Sequence, residues 1–379
     1  MPNRQSLVTY GVSTAAAATI TVAALLQPWR ATGGGHRDPV HEAPAARRAV
    51  DVVFAVDTTG SMGGLIEGAK RTVWSIATHI RKAEPDAELR IGLVAYRDIG
   101  DDYVTRDFAL TTDLDAVFAE LSGYRAAGGG DTPEDVDAAL DDTLHKMQWR
   151  DDARKLVFLV GDAPPASRGD VPRFDVLARE AGDRQIVLNA IRCGFDDGTA
   201  RAWQQIAALG HGQFSTIEQD GGVQQVATPY DAKLSELSAR IDGTAVIVGD
   251  DATRAAHVRR MEAAAAAPEP AKADRAAYFS AEGAAGPGGA RSRDDLVGGV
   301  AAGKMTVEAV APAALPEDLR GLAAPALKAE IDRRVELRSH AQAELKTLTE
   351  RRDEYLKAKT KGGAGFDAKV KDAIDAQLK

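Results

Sequence analysis

Oxygen-bearing side chains on three separated loops are the residues of this sequence best suited to chemistry. The first loop, Asp57-Thr58-Thr59-Gly60-Ser61, sets a carboxylate and two hydroxyls at alternate positions. The second runs Gly128-Gly129-Gly130-Asp131-Thr132-Pro133-Glu134-Asp135, and the third is Asp162 followed by Ala163-Pro164-Pro165. Taken singly, each loop has a plainer use, since Asp, Thr and Ser ahead of a helix accept bonds from its free N–H groups. Taken together, Asp57 and Asp162 with the hydroxyls of Thr59, Ser61 and Thr132 make a set of hard oxygen donors that suits Mg²⁺, with Mn²⁺ and Ca²⁺ as alternatives. Asp98, Asp101, Asp102, Asp131 and Glu134 are candidates for the rim of such a crevice, against the competing expectation of a solvated acidic loop. Soft-metal chemistry lacks ligands, because Cys193 is the only cysteine.

The elements that must position these loops are legible in the hydrophobic pattern. AVDVVFAVD (49–57) has the two-sided apolar character of a buried parallel strand, and 88–98, 154–162, 185–193 and 212–217 repeat it. Amphipathic stretches over 63–82, 133–148, 171–183 and 198–209 separate them, and another helix is expected from about Pro229 to Ile241. Alternation of this kind means a doubly wound, mostly parallel α/β sheet. YVTRDFALT (103–111) follows the second strand after too short a turn for a crossover, so it should pair antiparallel at an edge. GTAVIVGD (243–250) is a candidate last strand. The strand order 3-2-1-4-5-6 makes the first and fourth strands neighbours where the winding reverses, which is where open α/β sheets bind ligands. Asp57 and Asp162 end those two strands.

Asp57-x-Thr59-x-Ser61, followed by Thr132 and Asp162 on the matching loops, resembles the metal-ion-dependent adhesion site of von Willebrand factor type A domains, over roughly residues 49–250. The resemblance implies that Thr59, Ser61 and Thr132 bind the ion directly or nearly so, that Asp57 and Asp162 often act through water, and that a partner's acidic group completes the coordination. Thr59 departs from the pattern, since many members carry Ser there; the hydroxyl is kept. AYRDIGDD (95–102), GGGDTPEDVDAAL and VGDAPP resemble a bacterial and lower-eukaryotic branch of these domains, and ERRDEYLKAK with GFDAKVKDAI is similar to the charged helical ends of bacterial members.

Outside that segment the chain changes character. Arg4 followed by an uncharged run from Ser6 to Leu26 reads as a signal peptide or membrane anchor within 1–29, which implies export. Residues 30–48 read as a linker and 251–316, rich in Ala, Gly and Pro, as a tether. Over 317–379 a charged amphipathic helix, helical hairpin or short coiled coil is expected, with Leu327, Ile331, Val335, Leu345, Leu348 and Tyr355 on one face and Arg338 and Arg352 interrupting its heptads. Self-association through it is one expectation.

With 56 acidic and 47 basic residues in 379, the chain is a poor nucleic-acid binder. Gly298–Lys304 matches a phosphate-binding loop until Met305, where Ser or Thr is needed, and the histidines lack protease spacing. The leading expectation is therefore a non-enzymatic, divalent-metal-dependent protein-binding module whose partner presents a carboxylate. The alternatives are a Mg²⁺-assisted phosphate-ester enzyme, or a subunit of one, and a scaffold assembled through its helical tail.

Overall fold

β1 (Ala49–Asp57) is buried along its whole length, and its alternate residues serve two cores. Val50, Val52, Phe54 and Val56 face one helical layer, whereas Val53 and Ala55 face the other. The structure, a computed structural model, describes residues 49–130, 133–166, 171–223, 225–281, 292–359 and 364–378. After β1 come α1 (Gly63–Ala83), β2 (Glu88–Tyr96), β3 (Thr105–Thr111), α2 (Leu114–Gly123), α3 (Val136–His145), β4 (Ala153–Gly161), α4 (Phe174–Asp183), β5 (Ile186–Cys193), α5 (Asp197–Leu209), β6 (His211–Ile217) and α6 (Asp231–Asp242). The sheet order is β3-β2-β1-β4-β5-β6, parallel except for the β2–β3 pair. That is the expected α/β topology, with the antiparallel strand at its edge.

Helix α2 occupies a stretch for which no element was expected. Its start is fixed by Asp113, whose carboxylate accepts from Ala116 N at 3.0 Å, and Phe118 stacks on Trp74 of α1 with ring centroids 4.0 Å apart. Trp74 and Trp203 are fully buried, and Trp149 packs partly buried against the second core. At the amino end of β1, opposite the candidate loops, Asp51 is buried. Burial pushes its carboxyl up, and Arg90 and Arg150 outweigh this and hold it below the usual carboxylate range. Both guanidiniums bond it, at 2.7 Å and 2.6 Å.

The stretch expected as a tether is largely helical. It contains α7 (Asp251–Ala266), α8 (Glu269–Ala281) and the short α9 (Leu296–Ala301). Ala271, Ala273, Ala276 and Ala277 of α8 are almost wholly buried, because a side chain of one methyl lets helix axes approach closely. α8 packs on α1 and α6, and α7 on α2. GTAVIVGD forms no strand; Ile247 makes one isolated antiparallel bridge to Asp295.

Beyond the four-residue α10 (Glu317–Arg320), the charged tail is a single long helix, α11 (Ala324–Lys359), followed by α12 (Phe366–Gln377). α11 lies along α6, α8 and α9, so the expected hairpin or coiled coil is replaced by packing within the chain. Leu327 and Ile331 pack on α9, and Leu345 on α6 and α8. Arg338 and Arg352 are 1% and 3% exposed, and each is an anchor: Arg338 pairs with Asp295 at 2.6 Å, Arg352 with Asp231 and Asp274 at 2.7 Å each. α12 covers the sheet beside α1, with Phe366, Val370 and Ile374 buried in the same core as Phe54. Residues 46–379 accordingly cluster as one unit. The expected leader and linker, residues 1–48, lie outside the described residues. Among the described residues, no helix is long and apolar enough to cross a membrane.

Candidate metal centre

The chain leaves β1 through a turn held by its own first carboxylate. Oδ1 of Asp57 accepts from Thr59 N at 2.8 Å and from Thr59 Oγ1 at 2.6 Å. Thr58 turns the other way, its N–H and hydroxyl both donating to Tyr96 O on β2. One turn of 3₁₀ helix, Gly60–Met62, then leads into α1, and neither Thr59 nor Met62 at the two helix starts makes a side-chain cap bond. The side chains at these two helix starts are therefore not used as caps. The chain does cap with carboxylates elsewhere, at Asp113, Asp135, Asp196 and Asp250, so the hydroxyl of Ser61, which makes no hydrogen bond among the described residues, is not explained that way.

Asp162 follows β4, the strand next to β1, so it stands across the crevice from Asp57. Gly161 is needed there, because a Cβ on it would meet Tyr96 Oη and come within 3.1 Å of Asp57 Oδ2. The backbone of Asp162 is fixed by Thr199, whose hydroxyl donates to its carbonyl at 3.0 Å. Its carboxylate accepts from Gln219 Nε2 at 2.6 Å.

The third wall is the glycine loop before α3. Gly128 and Gly129 have φ of +77° and +74°, and a Cβ on Gly128 would run into the Asp101 carboxylate. Asp101 Oδ2 accepts from Gly129 N at 3.1 Å and from Asp98 N at 3.3 Å, which ties this loop to the one after β2. Gly60 N also bonds Gly128 O at 3.3 Å. Glu134 is stapled to the β4 loop, its N–H donating to Pro164 O at 3.1 Å and its carbonyl accepting from Ala166 N at 2.8 Å.

These walls enclose a cavity of about 340 Å³ lined by Thr59, Ser61, Glu134 and Asp162, with Asp196 at its side. Of the expected ligands, Asp57, Thr59, Ser61 and Asp162 come together, and Glu134 enters the cavity itself. Asp101 braces a loop, Asp98 is buried beneath it, and Asp102 points away, its side chain 89% exposed beside Arg97. Asp131 and Thr132 lie outside the described residues. Asp196 and Gln219 were not anticipated from the sequence. They sit on loops after β5 and β6 with no motif to mark them, and only the strand order, which brings those loops beside β4, points there.

The electrostatics are those of a site short of positive charge. Burial pushes the Asp57 carboxyl up to about 7, against the lowering bonds from Thr59, and the Asp162 charge adds to the rise. Burial likewise raises Glu134, to about 8, helped by Asp57, Asp98, Asp101 and Asp162. Oδ2 of Asp57 and Oε2 of Glu134 are buried without a hydrogen-bond partner among the described residues. Buried carboxylate oxygens of this kind call for a cation or a proton donor. The donor set therefore fits a hard divalent ion. Among the described residues no three acidic or imidazole side chains converge as a cage, so hydroxyls and water must supply much of any coordination.

Residues 51–228 match the family model of the von Willebrand factor type A domain. The alpha-protein kinase vwkA of Dictyostelium discoideum is 31% identical over 122 residues, 31% of this chain and 19% of that protein. The von Willebrand factor A domain-containing protein 7 of Rattus norvegicus is 33% identical over 133 residues, 35% of this chain and 14% of that protein. The chain thus spans less than a fifth of either relative. Among solved structures, the SpRpn10 VWA domain aligns with 14% identity and a TM-score of 0.36, covering 45% of this chain and 88% of that one. The matched segment takes in every described residue of the crevice, so the part of the chain that builds the site is the part that is similar to the von Willebrand factor type A domain.

Proposed function

We propose that this chain is a divalent-cation-dependent protein-binding module. Asp57, Thr59, Ser61, Thr132 and Asp162 would hold the ion at the switch point of the sheet, and an acidic group of a partner protein would complete its coordination. The observation that supports it best is the fully buried Asp57, which spends one oxygen on Thr59 and has the other without a partner among the described residues. The ion supplies a positive charge that a carboxylate can approach, and Mg²⁺ suits the mixture of hydroxyls, carboxylates and water. The chain's own part is to orient: Thr59 is locked by Asp57, and Gln219 fixes Asp162. Both carboxylates lie at a crevice that opens outward, which serves recognition of a partner rather than turnover of an enclosed substrate.

The test is calorimetric titration of MgCl₂ into the full chain and into Asp57→Ala. Saturable binding in the first that weakens at least tenfold in the second is expected. No binding, or binding indifferent to the substitution, removes the proposal. A binding partner should be retained on the immobilised chain in Mg²⁺, released by EDTA, and not retained by Asp57→Ala.

A further inference from the structure

Glu134 is the acidic residue of the crevice that the metal set above leaves without work. It is 4% exposed, lines the cavity with Thr59, Ser61 and Asp162, and keeps Oε2 buried and without a hydrogen-bond partner among the described residues. Among the described residues it makes no ion pair. Nor is its position accidental, for its backbone is pinned on both sides to the loop after Asp162, through Pro164 O and Ala166 N. Its other oxygen and the Thr59 side chain both border Gly129: a Cβ there would stand 3.0 Å from Thr59 Cβ and 3.3 Å from Glu134 Oε1. A glycine at 129 is what lets the two share that space.

An acceptor buried this deeply needs a donor. No protein donor reaches Oε2 among the described residues, so water is the donor that the crevice can supply. We infer that Glu134 accepts a hydrogen bond from water carried by the cation, and so belongs to the metal site as the residue that holds the ion's hydration. This rests on the metal-binding proposal above. It also selects among ions, because Mg²⁺ sheds its waters reluctantly whereas Ca²⁺ takes more protein oxygens directly. A carboxylate that grips coordinated water favours the ion that keeps it.

The test is calorimetry of the full chain with MgCl₂ and with CaCl₂ in wild type, Glu134→Gln, Glu134→Ala and Asp57→Ala, together with melting curves in EDTA. Loss of a group that orients a metal's ligands costs about 10- to 100-fold in affinity. That loss is expected for Mg²⁺ in both Glu134 variants, with a smaller loss for Ca²⁺. In EDTA, Glu134→Gln should melt at or above the wild-type temperature, since it removes an unpaired buried acid at constant shape. If wild type binds no Mg²⁺, or Asp57→Ala binds it equally well, the metal proposal itself fails. If wild type binds through Asp57 while Glu134→Gln stays within twofold of it for Mg²⁺, the inference on Glu134 alone is overturned. A lower melting temperature of Glu134→Gln in EDTA overturns it too, because the carboxylate would then be serving the protein and not the ion.

Discussion

Asp57 and Glu134 are buried acids that make no ion pair among the described residues, and their titration should be visible in stability. Both are raised above their ordinary values, to about 7 and about 8. Between about pH 4 and these values the folded state holds protons that the unfolded state has released, so metal-free stability falls as pH rises through that window. The EDTA-treated chain is therefore expected to melt lower at pH 8 than at pH 5, and Asp57→Asn should flatten the fall. Saturating Mg²⁺ should flatten it as well, since it favours the ionised forms. Equal slopes in wild type and Asp57→Asn would contradict this account. At this scale Asp57, Thr59, Ser61 and Asp162 were legible in the sequence because a motif and two strand ends coincide. Asp101 and Asp102 show the limit: both are acidic and neighbours, yet one ties down Gly129 and the other faces solvent, a difference that depends on the exact path of the β2–β3 turn.

Strands were easier to recognise than helices. A strand buried on both faces must be a run of β-branched and aromatic residues, and β1, β4 and β5 have no other reading. The Ala-rich helices were obscured, because small residues buried at close helix crossings have the same composition as a flexible tether. Their docking is carried by charge as well as by methyl groups. Arg275 of α8, 3% exposed, reaches Asp115 of α2 at 2.6 Å and Asp242 of α6 at 2.7 Å. Removing one member of a buried pair strands the other, at about 3–5 kcal/mol. Arg275→Met, which strands the buried Asp115, should cost about that much in urea unfolding, and Asp115→Ala in the same background should recover part of it. If α8 were a loose tether, both changes would be silent.

Over the whole molecule, the segment that matches the family is not a free-standing unit here. Phe366, Val370 and Ile374 complete the core against β1 and α1, Arg154 of β4 donates to Gln377 O at 2.8 Å, and His79 meets Asp375 at 2.7 Å. Truncation after Lys359 should therefore destabilise the sheet. Three buried apolar side chains at about 1.5–3 kcal/mol each amount to at least ~5 kcal/mol, read as a loss of denaturation midpoint in urea. An unchanged midpoint would make α12 an ornament. The same packing separates two regions of the molecule: the helices added after the sheet cover its flank, while the crevice at the carboxyl ends of the strands is left uncovered by them.

The closure of the core by α12 has a temporal side. Phe54 lies 6.2 Å from Phe366, and the bond from Lys371 to Ser75 joins residues 296 positions apart. Contacts so remote in the chain are slow to form. On the ribosome, β1 and α1 emerge early and must wait, with an apolar flank uncovered, until synthesis has passed residue 366. That interval is when the nascent chain is most exposed to aggregation, and when a chaperone would have most to do for it.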